Sequence, residues 1–410
     1  MSSRFTSEFF AANRGRLREL FTGTAPIVIT ANGLLQRGTD NSYRFAQDAS
    51  FWYLTGINEP DIVLVMDRDK EYLIVPERNA SREAFDGSVE YEALTQRSGV
   101  QTICDSKAGW EQLAGRLKKV KHVATIAPPP AYIEQIGLYT NPARATLVQK
   151  LKLDNEELHL LDIGPHLSRL RMVKQAIELE AIQAAIDITV STLKSALKPA
   201  RLRKYTYEYQ LEAELSRGFR WRGASGHAFE PIVAGGIRAC TMHYLANDGP
   251  FVSDELVVID VGAEIEYYAA DIARTISLSP PSRRQQTVHT AVLEVRQFAL
   301  ELLRPGTLLH DYEQQIEHFM GEKLRELGLI KTIDQDSVRT FFPHRTSHFL
   351  GLNAHDAGDY ERPLESGVVL TVEPGIYIMA EGIGVRIEDD VLITPSGHKV
   401  LSDKLSRELC

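Results

Sequence analysis

Two stretches of this chain repeat the same order of features, and that repetition limits the folds open to it. A helix-type segment ends in LKP (197 to 199) and is followed by one carrying YEYQLE (207 to 212). Further on, a helix-type segment ends in LRP (303 to 305) and is followed by YEQQIE (312 to 317). His243-Tyr244 stands in the first stretch and His348-Phe349 in the second, 105 residues later. Each stretch finishes in β-type runs bearing two acids, Asp260 and Asp271 in one, Glu373 and Glu388 in the other. Repeats of this kind predict an internal duplication whose halves pack about a pseudo-twofold axis, with the acids converging on one central site.

The chain before these stretches follows a different pattern. APIVITANG (25 to 33), IVLVMD (62 to 67), EYLIVP (71 to 76) and HVATIAPPP (122 to 130) read as strands closed by turn or proline signals, with EQLAGRLKK as an amphipathic helix between them. No glycine-rich phosphate loop accompanies this α/β pattern. GPHLSRLRMVK (164 to 174) reads as a junction, because Ile182, Ile186, Val190, Leu193 and Leu197 then form one helical apolar stripe. With 410 residues, more than one core is expected, and the divisions fall at residues 1–165 and 175–410.

Composition narrows the function classes. A net charge of −9 argues against a dedicated nucleic-acid binder, which needs a basic face. No apolar run is long enough to span a membrane, and the N-terminal MSSRFTSEFFAANRGRL lacks the apolar core of a secretory signal. Cys104, Cys240 and Cys410 are odd in number and scattered, which fits the cytoplasm.

The stretch VVIDVGAEIEYYAADIART (257 to 275) carries the first chemistry. A two-residue turn at Ile265-Glu266 would set Asp260 directly opposite Asp271, with Cβ atoms roughly 4.5–5.5 Å apart. Two carboxylates there repel unless a cation lies between them. The pair alone fits equally a turn placed elsewhere, with both aspartates in solvent. Glu373 closes the apolar run VVLTVEPGIYI and Glu388 sits inside GVRIEDDVLI. An isolated glutamate in a strand is commonly an exposed cross-strand partner, yet here four acids occupy matching contexts. Four carboxylates and one histidine suit two divalent ions, and an oxygen-rich set without thiolate favours Mn²⁺, Co²⁺, Fe²⁺ or Zn²⁺ in a working rather than a structural site. HRTSHFLGLNAHD supplies His344, His348 and His355, and His243 stands in the other half. A lone histidine is commonly a satisfied or surface residue; in this segment one can ligate and others can move protons or meet an oxyanion. Arg386 precedes Glu388 by two residues on the same strand face and can hold a ligand carboxylate. Asp389 and Asp390 fit a solvated role as well as a functional one.

These runs resemble a known family. IDVGAEIEYYAADIART, HRTSHFLGLNAHD, TVEPGIYI and GVRIEDD fall in the order of the pita-bread metallopeptidases, which include methionine aminopeptidase, aminopeptidase P and prolidase. QDASFWYLTGINEP (47 to 60) is similar to the creatinase-type first domain of aminopeptidase P and prolidase, a domain that methionine aminopeptidase lacks. Creatinase shares the fold without the metal ligands. The resemblance implies an α/β N-terminal creatinase-type domain and an α+β C-terminal pita-bread domain with internal pseudo-twofold duplication. It implies that Asp260 and Asp271 hold one metal, that His348 and Glu373 hold the other, and that Asp271 and Glu388 bridge both, with Mn²⁺ the first expectation. His243 would assist proton transfer, His355 would stabilise the tetrahedral intermediate, and His344 would line the pocket near proline.

The activity implied is hydrolysis of the bond between an N-terminal residue and a following proline, in peptides carrying proline at the second position. An Xaa-Pro dipeptidase is the alternative, kept open by compact loops in HDAGDYERPLESG and YIMAEGIGVRIEDD. A non-catalytic peptide-binding protein of the same shape is the remote one. Arg238 stands where relatives carry a small or amide residue, which implies altered subsite contacts. The residue matching Asp40 reaches a neighbouring subunit's site in some relatives, so a homodimer or homotetramer is expected.

Overall fold

The apolar runs of the first part become the middle of a six-stranded sheet in the computed structural model, which describes residues 3–68, 70–129 and 137–409. Its strands are β1 (Ile27–Thr30), β2 (Val63–Asp67), β3 (Lys70–Val75), β4 (Thr102–Asp105), β5 (His122–Thr125) and β6 (His159–Asp162), in the order β4-β3-β2-β1-β5-β6. Pro130 of the HVATIAPPP run lies outside the described residues, as does Cys410. Strands β1, β2 and β3 pair antiparallel, while β4, β5 and β6 join in parallel, as an α/β connection requires. One face buries Val28, Val65, Tyr72, Ile74 and Val123 against Leu113, Leu117, Leu147 and Leu151 of two helices, Ser106–Leu117 and Ala143–Asp154. The FWYLTG run forms the helix Ala49–Thr55, because Asp48 accepts from the amides of Ser50 and Phe51 and Gly56 closes it at φ 66°.

One compact unit reaches to Leu170 and a second begins at Arg171, so the division falls inside the helix Gly164–Met172. The second unit shows the repetition directly. A 21-residue helix (Ala176–Ala196) and a 14-residue helix (Glu208–Trp221) precede a sheet of β8 (Ile232–Gly235), β9 (Leu256–Val261) and β12 (Ile272–Ser277). A 20-residue helix (Arg283–Leu302) and an 18-residue helix (Leu309–Glu326) precede a sheet of β13 (Val369–Val372), β16 (Asp389–Thr394) and β17 (Gly397–Val400). Both sheets are three-stranded and antiparallel, with β9 and β16 in the middle. Smaller strands complete the unit: β7 (Gly226–His227), β10 (Ala263–Ile265) and β11 (Tyr268–Ala269) in one sheet, β14 (Gly375–Ile378) and β15 (Ile383–Arg386) in another. The expected stripe Ile182, Ile186, Val190 and Leu193 is buried, and Leu197 falls at the helix C-cap. No helix among the described residues is long and apolar enough to cross a membrane.

The hairpin turn lies one residue later than expected. Ile265 pairs with Tyr268, so the turn is Glu266-Tyr267, at φ 49° and 71°. Positive φ at both central positions matches the right-handed twist of the strands, and it is usually supplied by Asn-Gly. The shift sets Asp260 opposite Ala273 rather than opposite Asp271. Since Asp271 precedes Ala273 by two residues, the two aspartates keep one face as diagonal neighbours. Gly262 fills the gap between the crossing chains: a Cβ there would lie 1.6 Å from the Ala270 carbonyl oxygen.

Candidate metal centre

The strand ends of both halves aim at one cavity. It has a volume of about 460 Å³, and nine of the residues singled out in the sequence line it: His243, Asp260, Asp271, His344, His348, His355, Glu373, Arg386 and Glu388. Asp260 is carried by β9 and faces Ile232 of β8 across the ladder. Asp271 enters β12, and its amide donates to Asp390 at 3.2 Å. Glu388 lies between β15 and β16 and donates its amide to the carbonyl of Ala273 at 3.0 Å, tying the second half's ligand strand to the first half's. The amide of Thr371 donates to the His348 carbonyl at 3.0 Å, and that of Glu373 to Thr346 at 2.8 Å. Those two ladder bonds fix His348 beside Glu373.

The side chains meet closely. His348 Nε2 lies 3.3 Å from Glu373 Oε1 and 3.7 Å from Asp271 Oδ2. One ligand atom each from Asp271, His348 and Glu388 can be chosen so that all lie within 4.8 Å of one another, a spacing suited to a shared cation. Arg386 donates to Asp260 and, at 2.8 Å, to the Tyr377 hydroxyl. The other oxygen of Asp260, Oδ1, is buried without a hydrogen-bond partner among the described residues. His355 stacks on His348 with ring centroids 3.8 Å apart and planes inclined by 12°.

Electrostatics show what the cluster lacks. Burial raises the carboxyl of Asp271 well above the usual range, and the charges of Asp260, Asp390 and Glu373 raise it further. Glu388 is driven up by burial and then by Asp271, Glu373 and Asp260. Asp260 is raised by burial even with Arg386 beside it. Burial works against ionisation of Glu373, yet its carboxyl is held down, because the hydrogen bond from His348 and the charges of His344, His348 and Arg386 together outweigh it. Carboxylates so placed take up protons unless cations neutralise them. An unpartnered buried carboxylate oxygen, four acids and one imidazole make a donor set that fits divalent ions. Burial, followed by the charge of His348, lowers His355 to about 4, so its ring is neutral at pH 7.

The structure changes one expectation, for Arg238, and decides one left open, for Asp389 and Asp390. Arg238 does not line the cavity; its Nε donates to Glu208 at 2.8 Å and its Nη2 to the Pro250 carbonyl at 2.9 Å. Asp389 and Asp390 are fully buried rather than solvated. Asp389 accepts from Arg274 at 2.8 Å, from Arg296 at 2.6 Å and from Arg407 at 2.8 Å. Asp390 is the acceptor that holds the Asp271 backbone.

Other members of the site carried no signal in the sequence. The Tyr377 hydroxyl meets His344 Nε2 at 2.7 Å and Arg386 at 2.8 Å, so one phenol orients both. Gly375, which pairs with Arg386, makes room for it, since a Cβ there would lie 2.4 Å from the phenol oxygen. Glu313 accepts from the amides of Thr346 and Ser347 at 2.9 and 3.0 Å and so holds the chain that leads to His348. Tyr377 could have been suspected only from its place in the TVEPGIYI run; Glu313 looked like any exposed helix acid.

A duplicated α+β unit whose two halves each deliver carboxylates to one buried cavity is the pita-bread metallopeptidase arrangement. Residues 180–395 match metallopeptidase family M24 and residues 10–125 match the aminopeptidase P N-terminal domain. The chain belongs to metallopeptidase family M24. It is 31% identical to the Xaa-Pro aminopeptidase of Haemophilus influenzae, over 99% of this chain and 96% of that protein. It is also 31% identical to human Xaa-Pro aminopeptidase 3, over 93% of this chain and 79% of that one. Among solved structures, zinc-substituted Escherichia coli aminopeptidase P in complex with product matches with a TM-score of 0.86 at 29% identity, over 99% of this chain and 97% of that one.

Proposed function

We propose that Asp260, Asp271, His348, Glu373 and Glu388 hold two divalent cations, with Asp271 and Glu388 shared between them, in a metallopeptidase that removes an N-terminal residue from before proline. One observation carries this reading: ligands from both halves converge on a single buried cavity whose carboxylates have one arginine to balance them. Mn²⁺ is the first choice, with Co²⁺, Zn²⁺ and Fe²⁺ as substitutes, because the donors are mostly oxygen. The full-length relatives named Xaa-Pro aminopeptidase support the substrate class.

Bound ions supply Lewis acidity and a water acidic enough to react at neutral pH. The chain's own residues supply the rest. Arg386 fixes one oxygen of Asp260 and leaves the other buried without a hydrogen-bond partner among the described residues, free to take a cation. His355, neutral at pH 7, offers an N–H to charge developing on the scissile carbonyl oxygen. His243 moves the proton that the departing proline nitrogen needs, since an imide nitrogen leaves as an amine only when protonated. His344, oriented by Tyr377, lies against the pyrrolidine ring.

The reading extends to a cytoplasmic homodimer or homotetramer, supported by free Cys104 and Cys240 and by the exposed position of Asp40. The deciding experiment is Mn²⁺-supplemented hydrolysis of Ala-Pro, Ala-Pro-Ala and a longer Xaa-Pro peptide. Cleavage of the longer peptides is expected. Cleavage of the dipeptide alone assigns an Xaa-Pro dipeptidase instead, and no cleavage by protein with bound metal removes the catalytic assignment.

A further inference from the structure

Glu230 is a fifth carboxylate on the wall of the catalytic cavity, and nothing in the mechanism uses it. It is exposed, and among the described residues its side chain has no hydrogen-bond or ion-pair partner. Its backbone is nevertheless firmly held. Pro231 restricts the residue before it to extended conformations. The carbonyl of Pro231 accepts from Asn247 Nδ2 at 2.8 Å, and Asn247 Oδ1 accepts from the Val233 amide at 2.8 Å. Asn247 is itself buried and held at φ 46°, so this segment is braced from behind.

The place of this acid is specific. Ile232 pairs with Asp260, and Glu230, two residues before it and just ahead of the strand, lines the same cavity. Phe229, Ile232 and Leu245 surround it in the lining, with Leu245 half exposed. The other four acids are spoken for, by Arg386 and by the cations that their burial calls for. Glu230 therefore adds a negative charge that the centre itself does not neutralise. An apolar rim ending in a free carboxylate suits a group with a hydrocarbon stem and a cationic head.

We infer that Glu230 selects substrates whose N-terminal residue is basic, receiving the ammonium or guanidinium of lysine or arginine while the stem lies over Phe229 and Leu245. The inference rests on the Xaa-Pro reading above, with the proline against His344, and takes the substrate's amine end to lie toward Asp260 across the same cavity. On that orientation the side chain of the first residue is the part of the substrate that passes Glu230.

Lysine and norleucine differ by the ammonium alone, which isolates the charge. Wild-type protein loaded with Mn²⁺ is expected to favour Lys-Pro-Ala over norleucine-Pro-Ala in kcat/KM by about fivefold, the scale of a solvent-accessible ion pair. In Glu230→Gln the ratio should approach one, in Glu230→Lys it should invert, and in wild type it should shrink at high salt. A wild-type ratio at or below one, or a ratio unmoved by Glu230→Gln, overturns the inference while leaving the Xaa-Pro reading intact. No turnover of either peptide by wild type overturns both.

Discussion

Glu388 and Asp389 are neighbours in the chain, yet Glu388 lines the cavity while Asp389 turns into a knot of three guanidiniums from Arg274, Arg296 and Arg407. Arg274 serves both residues, because it also donates to the carbonyl of Glu388. The knot thus acts as an anchor behind the ligand. Removing the charge of Asp389 would leave the buried Arg274 and Arg296 without their counterion, while Arg407 keeps Asp403, a change worth about 3–5 kcal/mol. Asp389→Asn is expected to lose that order of stability in denaturant titration and to retain metal more weakly. Burial works against ionisation of Asp389, yet the three arginines hold its carboxyl below the ordinary range. Its folded value is depressed, so its contribution is fully present above the unfolded value of about 3.9 and lost as pH falls below it. The wild-type advantage over Asp389→Asn should therefore disappear in acid.

The bridging assignment makes a stoichiometric prediction. Asp271→Ala and Glu388→Ala should each lower bound metal from two ions per chain and cut kcat/KM by more than about a hundredfold. Elemental analysis of the dialysed protein reads the first effect directly. Near-normal turnover in either variant would remove the residue from the centre.

His243 and His355 line the cavity without joining the ligand cluster. His243→Ala should keep its metal and lose turnover by about 10²–10⁴-fold, the range for removing a proton-transfer group. Loss of metal in that variant would make His243 a ligand instead.

Glu313 gives a pH test away from the ligands. Burial raises its carboxyl to about 7, against the amide donors of Thr346 and Ser347. A carboxyl raised on folding binds a proton that the unfolded chain has released, so its contribution to stability falls as pH rises from about 4.3. The decline ends near its folded value of about 7. Glu313→Gln should flatten the fall of Tm between pH 5 and 7 relative to wild type. Parallel curves for the two proteins would show that Glu313 does not titrate in that window.

What could be read in the sequence follows from where each signal resides. The buried middle strands β1, β2 and β3 announce themselves as apolar runs, whereas TICD and HLLD, which form β4 and β6, do not. Those two are the sheet edges, each four residues long and partly exposed, so neither carries a hydrophobic period. The turn at Glu266-Tyr267 lacks the Asn-Gly that normally marks positive φ, so the sequence pattern sets the turn one residue early and the pairing partner of Asp260 two residues early. The acids and histidines of the cavity were legible because few other roles suit such residues in apolar runs. The burial of Asp389 was not, because its arginine partners Arg274 and Arg296 lie 115 and 93 residues away.

Gly262 gives the centre an unusual kind of fragility. The Ala270 carbonyl occupies the space of its missing methyl, so the spacing between the two aspartate-bearing strands is set by an atom that is not there. Residue 262 does not line the cavity, and yet its smallest possible enlargement would push apart the supports of Asp260 and Asp271. Sequence drift at this position is closed off as firmly as at a ligand, and a loss-of-function allele there would look, from its distance to the chemistry, like a folding defect.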